Sequence, residues 1–121
     1  MPRPILSESR IHSAIQAKVS NLHGEIVAAV QTAVATHPVV VVGMGMNPMP
    51  KRVRKALDAA GVPYHYMEYG NYFSEWKRRG ALKMWAGWQT FPMIFVKGQL
   101  IGGFSDLKNL VDNGELKKLL G

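Results

Sequence analysis

Four consecutive valines, Val39 to Val42, constrain this chain more than any other stretch. β-branched side chains suit a pleated surface, and an unbroken apolar run implies a strand covered on both faces. Pro38 disfavours helical geometry at His37 and resets the chain for that strand. A tight turn follows, Gly43-Met-Gly-Met-Asn47, and then a basic helix, KRVRKALDAA, closed by Gly61. Asn47 is a good N-cap residue, Pro48 is tolerated in a first helical turn, and Gly61 supplies the position beyond the last turn. Val53, Ala56, Leu57 and Ala60 form the inward stripe, while Lys51, Arg52, Arg54 and Lys55 point mostly outward. A strand, a turn and a helix N-terminus in this order form a place where ligands often bind. Yet this turn holds no cysteine, hydroxyl, carboxylate or histidine.

On the N-terminal side, Pro2 and Pro4 block helix over residues 1–6. Ser7 is an N-cap candidate, and Ile11, Ile15 and Val19 recur at helical spacing. Asn21 and Gly24 weaken the helix before a second periodic run, Ile26, Val27, Val30 and Val34, so the pattern predicts two helices or one bent helix. After Gly61, the stretch from Val62 to Tyr69 alternates as a strand, with Pro63 placing it at a strand start or an edge. Tyr72 to Trp85 reads as an amphipathic helix with a possible interruption at Gly80. Met93 to Val96 and Leu100-Ile101, joined by Lys97-Gly98-Gln99, predict a β-hairpin. Ser105 then caps a helix carrying Leu107, Leu110 and Val111, and Glu115 to Leu120 forms a last short helix. The βαβ crossover implies a parallel pair and the hairpin an antiparallel one. The expected architecture is α/β, a four-stranded mixed sheet with helices on both faces.

At 121 residues with an apolar fraction of 47%, the chain has enough for one real core. No apolar run approaches the ~20 residues of a membrane span, and the N-terminus lacks the apolar core of a signal peptide. The expectation is a cytoplasmic protein without a membrane partner. The complete absence of cysteine excludes disulfides, thiol catalysis and thiolate-held zinc supplied by this chain. A net charge of +7 permits an anionic partner, but no recognised nucleic-acid motif accompanies it, so nucleic acid is an unlikely partner. The four histidines, His12, His23, His37 and His65, are scattered without metal-ligand spacing, and no metal is expected. Met44, Met46 and Met49 cluster around the turn as an adaptable apolar contact surface.

The stretch Trp88-Gln-Thr-Phe-Pro92, then MIFVKGQLIGGFSDL to Leu107, then Asn113-Gly-Glu-Leu116, resembles the C-terminal half of a glutaredoxin. Arg79 and Lys83 ahead of Trp88 match the helix-and-loop pattern of the monothiol branch. The valine strand, the proline-containing turn and the basic helix are similar to that family's strand and C-P-x-C helix start. The resemblance covers roughly residues 26–121, which implies a thioredoxin-like domain over 26–121 behind a helical extension over 1–25. It also implies which positions matter. The nucleophilic cysteine falls on Asn47, and the motif C-P-x-C or C-G-F-S becomes Asn47-Pro48-Met49-Pro50. A lysine that the family often places three residues earlier falls on Met44.

Thiol–disulfide exchange needs a thiolate, stabilised in such folds by a helix N-terminus. The amide of Asn47 is no thiolate, so reductase activity and a cysteine-held iron–sulfur cluster are not expected. The binding half of the site remains. By resemblance, Phe91 ahead of a cis Pro92 would pair with the cysteinyl part of glutathione. The amides of Phe104 and Ser105 would hold its γ-glutamyl carboxylate, and Arg79 its glycine carboxylate. Met49, in the turn, adds an apolar contact. The sequence thus points to a redox-inactive glutaredoxin-like protein that binds glutathione, a peptide or a protein partner. Two rival readings stand beside it: a transferase-like enzyme using the thiol of bound glutathione, and a basic nucleic-acid-binding module.

Overall fold

The computed structural model describes residues 3–71 and 73–121. Its centre is β1, Val39–Gly43, buried along its whole length. Strand side chains alternate between faces, so Val40 and Val42 enter one half of the core and Val39 and Val41 the other. On the first face lie α2, Gly24–Thr36, and α4, Trp76–Ala86, which contribute Ile26, Val30 and Leu82. On the second lie α3, Pro48–Ala59, α5, Phe104–Asp112, and α6, Glu115–Leu120, which contribute Val53, Leu57, Leu107 and Leu116. The continuous valine run therefore reflects two apolar layers meeting one strand.

The sheet has the order β2-β1-β3-β4. β2, His65–Glu68, is an edge strand parallel to β1, with Val40 opposite His65 and Gly43 opposite Glu68. β3, Met93–Val96, runs antiparallel to β1, and β4, Gln99–Gly102, antiparallel to β3. The turn between them is just Lys97-Gly98, both at positive φ (51° and 82°), which matches the right-handed twist of a two-residue hairpin. This is the mixed sheet flanked by helices that the sequence predicts.

Several boundaries differ from the expectation. Ser7 turns its hydroxyl to that of Ser9 (3.0 Å) instead of capping an α-helix, and only a 3-10 turn, Glu8–Arg10, follows. The first α-helix, α1, spans Ser13–Asn21, capped by His12, whose Nδ1 accepts from the Ala14 N–H at 3.0 Å. Two helices form rather than one bent one, because His23 sits in the left-handed region at φ 44° between α1 and α2. α2 starts at Gly24, two residues ahead of Ile26, the first of its periodic apolar residues. β2 is shorter than the Val62–Tyr69 stretch, beginning after Pro63-Tyr64. α4 runs through Gly80 without interruption and ends at Gly87, φ 74°. Its expected start at Tyr72, like the expectation for Pro2, lies outside the described residues. The cap of α5 is Gly103 and not Ser105: the Gly103 N–H donates to Asp106 Oδ2 at 2.9 Å, and that carboxylate closes the first turn. Among the described residues, no helix is long and apolar enough to cross a membrane.

Gly43 shows how tightly the end of β1 is packed. A Cβ there would sit 2.9 Å from the Pro50 ring and 2.7 Å from the Tyr66 hydroxyl. The phenol end of Tyr66 can move; the ring of Pro50, fixed inside α3, cannot. Gly43→Ala is expected to lower unfolding stability by about 2 kcal/mol through overpacking, measured as a shift in the urea midpoint at unchanged slope.

Candidate functional site

The turn from Gly43 to Asn47 is built by backbone hydrogen bonds to the segment after β2. The Tyr69 N–H donates to Gly43 O at 3.0 Å, and the Gly45 N–H donates to Gly70 O at 2.6 Å. Arg79 fastens that segment from behind. It is only 6% exposed, and its Nη1 donates to Tyr69 O at 3.0 Å and Ser74 O at 2.6 Å. A hydrogen-bonded guanidinium is the kind of cation that tolerates such burial. The structure thus makes Arg79 a brace for the loop that carries the turn. Among the described residues, its side-chain hydrogen bonds go to Tyr69 and Ser74 and none goes to Phe91, Phe104 or Ser105.

Asn47 joins two parts of the site. Its Oδ1 accepts from the Met49 N–H at 2.9 Å, capping α3, and its Nδ2 donates to the Phe91 carbonyl at 3.1 Å. Phe91-Pro92 is a cis peptide, as the resemblance implies, and both residues are buried. The cap is visible in the sequence. The second bond is not, because Phe91 lies 44 residues away. Met44 is 6% exposed and packs in the same core layer as Phe91 and Leu82, so its side chain is turned inward. Met46, by contrast, is 61% exposed at φ 65°. Met49 is half-buried and exposed Pro48 precedes it on α3.

Beside the turn opens a cleft of about 320 Å³ between α3 and β2. Lys51 and Arg54 line it from the helix, Tyr66 and Glu68 from the strand. The Arg54 guanidinium lies 4.3 Å from the centre of the Tyr66 ring, a cation–π contact. The Tyr66 hydroxyl donates to Glu68 Oε1 at 2.8 Å. Burial first, then that hydrogen bond and the charge of Glu68, push the Tyr66 hydroxyl well up, and the nearby Arg54 charge only partly opposes them. The phenol therefore stays a neutral donor across the physiological range. Pattern reading missed this wall: Tyr66 and Glu68 show only as strand residues, and Arg54 as one of four helix cations.

On the other side, Trp88 connects the Phe91-Pro92 loop to the start of α5. A Cβ added to Gly103 would lie 3.7 Å from Pro92 O and 3.9 Å from Trp88 Nε1. That indole nitrogen is buried without a hydrogen-bond partner. Phe104 and Ser105 occupy the first two positions of α5, where amide N–H groups have no partner inside the helix. Phe104 is half-buried and Ser105 exposed. Lys83 reaches over from α4, its Nζ 5.9 Å from the centre of the Phe91 ring. Of the expected site residues, the structure gathers Asn47, Met49, Phe91 and Pro92 at the turn, with the start of α5 beyond Trp88, and it sets Arg79 behind them.

The Glutaredoxin family model matches residues 39–101 of this chain. The chain belongs to the glutaredoxin family. A glutaredoxin-like protein of Dictyostelium discoideum is 41% identical over 98 residues, covering 81% of this chain and 80% of that protein. The chloroplastic bifunctional monothiol glutaredoxin-S16 of Arabidopsis thaliana is 39% identical over 70 residues, 58% of this chain, so the match spans about a quarter (24%) of that longer relative. Among solved structures, a buckwheat glutaredoxin–glutathione complex superposes with a TM-score of 0.69 at 25% identity, over 83% of this chain and 91% of the other. This glutaredoxin has no cysteine anywhere in its sequence, and Asn47 stands at its helix N-terminus.

Removing the Asn47 amide takes away a helix cap and leaves the Phe91 carbonyl without its donor. Asn47→Ala is expected to lower stability by about 2 kcal/mol, the sum of one cap and one part-buried hydrogen bond. Asn47→Asp, which keeps the cap and loses the donor, should fall between the two; thermal unfolding of the three proteins checks the order.

Proposed function

We propose that this glutaredoxin works by binding rather than by thiol exchange, and that its ligand is an extended peptide with an anionic end, glutathione being the first candidate. The observation that carries the reading is Asn47: at the position that the resemblance gives to the nucleophile, both ends of its amide help hold α3 to the Phe91-Pro92 loop. The loop is thereby held in place without a ligand. The Phe91 carbonyl keeps a second lone pair for a strand-like contact. The free amides of Phe104 and Ser105, at the positive end of the α5 dipole, suit a carboxylate. The fold is shared with a glutaredoxin whose structure is a glutathione complex. With Arg79 committed to Tyr69 and Ser74, the second carboxylate of glutathione falls to Lys51 or Lys83 at the rim. Exposed Met46 and half-buried Met49 give the same site an apolar lip for a longer peptide or a protein segment.

Isothermal titration with reduced glutathione checks the ligand directly. Binding in the micromolar to millimolar range is expected, and Ser105→Glu should weaken it by about tenfold or more, since a carboxylate would then stand in the anion position. The same substitution leaves the fold intact, because acidic residues are favoured in a first helical turn. Absence of any heat for wild type, with no rise in melting temperature at high glutathione, rejects glutathione and leaves the peptide.

The chemistry has its own check. Wild-type protein is expected to show no glutathione-dependent reduction of a small disulfide and no conjugation of an electrophile. Asn47→Cys is expected to gain disulfide reduction above the wild-type background, because the helix N-terminus lowers the pKa of a thiol placed there. Conjugating activity in wild type, lost in Asn47→Ala, would instead favour an enzyme using the thiol of bound glutathione.

A further inference from the structure

The end of the sheet remote from Asn47 carries a second cavity, also of about 320 Å³. It opens where β1 and β2 begin, with the β3–β4 turn folded against it. Four strand steps of about 3.3 Å separate Val39 from Gly43, so it lies roughly 13 Å along β1 from the former active-site turn. The Lys97 N–H donates to Pro38 O at 2.8 Å and holds the hairpin turn at its mouth. The parallel register that sets His65 opposite Val40 brings His65 beside His37. Their rings stack with centroids 4.2 Å apart and planes 1° from parallel.

The lining has a consistent chemistry. Val39 and Val62, both buried, form its apolar base, and Leu120 closes it from α6. The polar residues that line it are His37, His65, Tyr64 and Lys97. No carboxylate lines the cavity, and among the described residues none is within ion-pair distance of Lys97. Asp58 acts on the Tyr64 hydroxyl from α3 without lining the space. A metal ion is the wrong occupant. Parallel imidazoles direct their in-plane lone pairs side by side rather than at one point, and among the described residues no group of three or more candidate ligands is placed to hold a metal.

An apolar base, a flat imidazole ledge and one unpaired cation complement a molecule with a flat apolar body and a single carboxylate. The volume sits at the small end of the range for small-molecule sites, which starts near about 300 Å³, with room for one or two rings. We infer that this cavity is a binding site for small aromatic carboxylates, separate from the former active site. The ring system lies over Val39 and Val62 beside the His37–His65 stack, and the carboxylate meets Lys97.

Amide NMR on the full chain, titrated with naphthalene-2-carboxylate and separately with naphthalene-2-methanol, tests this. The expected result is saturable shifts confined to segments 37–39, 62–65 and 97–98, with the carboxylate about tenfold tighter than the alcohol, the worth of one charge-assisted hydrogen bond. Lys97→Asn keeps a residue that tolerates the left-handed backbone at this turn. It should erase the carboxylate's advantage and leave the alcohol's affinity unchanged. Shifts that never saturate, shifts centred on residues 44–54, equal affinity for the two probes, or a carboxylate affinity unmoved by Lys97→Asn would each overturn the assignment. Because the glutathione reading is checked by calorimetry and Ser105→Glu, and this cavity by shifts at 37–39, 62–65 and 97–98 and by Lys97→Asn, either reading can fail without the other.

Discussion

A strand buried on both faces and paired on both edges leaves its residues no freedom. β1 holds that position, with α2 and α4 over one face, α3 and α5 over the other, β2 and β3 at its edges. Each of its apolar side chains loses nearly all contact with water, at roughly 25 cal/mol per Å² of apolar area removed. Whatever stands at the two ends of this strand is placed by it. One end delivers the Gly43–Asn47 turn to the Phe91-Pro92 loop; the other sets His37 and Lys97 around the distal cavity.

Three side chains around the turn are taken up by the fold itself. Asn47 fills the place of a nucleophile and spends both ends of its amide on the backbone. Met44 buries a side chain where the family's lysine would stand, deepening the apolar layer beneath Phe91. Arg79 has its charge committed to two carbonyls of the supporting loop. Each of these side chains is held by structure. On the binding reading proposed above, a ligand would meet mainly backbone: the Phe91-Pro92 edge and the first amides of α5. A site of that kind would read shape and an anionic terminus more than side-chain identity.

Much of this was legible in the sequence for reasons that are local. Four valines behind Pro38, the Asn47-Pro48 pair and a glycine after the helix are each short-range signals, and they fixed β1 and α3 with their ends. The hairpin and α6 were equally readable. Errors arose where a competing short-range bond, or the lack of a covering layer, overrules the local signal. Ser7 looks like a cap but bonds Ser9; Ser105 looks like a cap but Asp106 reaches back to Gly103 first. The stripe of Ile11, Ile15 and Val19 is periodic, yet α1 buries none of its residues, and Ile15 remains 46% exposed. Periodicity marks an apolar face without saying whether anything covers it. The site divides the same way. The missing thiol and the Asn47 cap follow from residue identity. The bond from Asn47 to Phe91, the Arg54–Tyr66–Glu68 wall and the stacked histidines depend on strand register, which no single segment contains.

The double engagement of Asn47 also bears on what a thiol in its place would cost. A protein that had merely lost a thiol would regain it by one substitution with nothing else disturbed. Here the amide has become a joint between segments 44 residues apart, and a thiol at that position, a weak donor and acceptor, serves neither partner well. Placing a thiol at position 47 therefore runs uphill in stability. The amide is entrenched by the two contacts it makes at once.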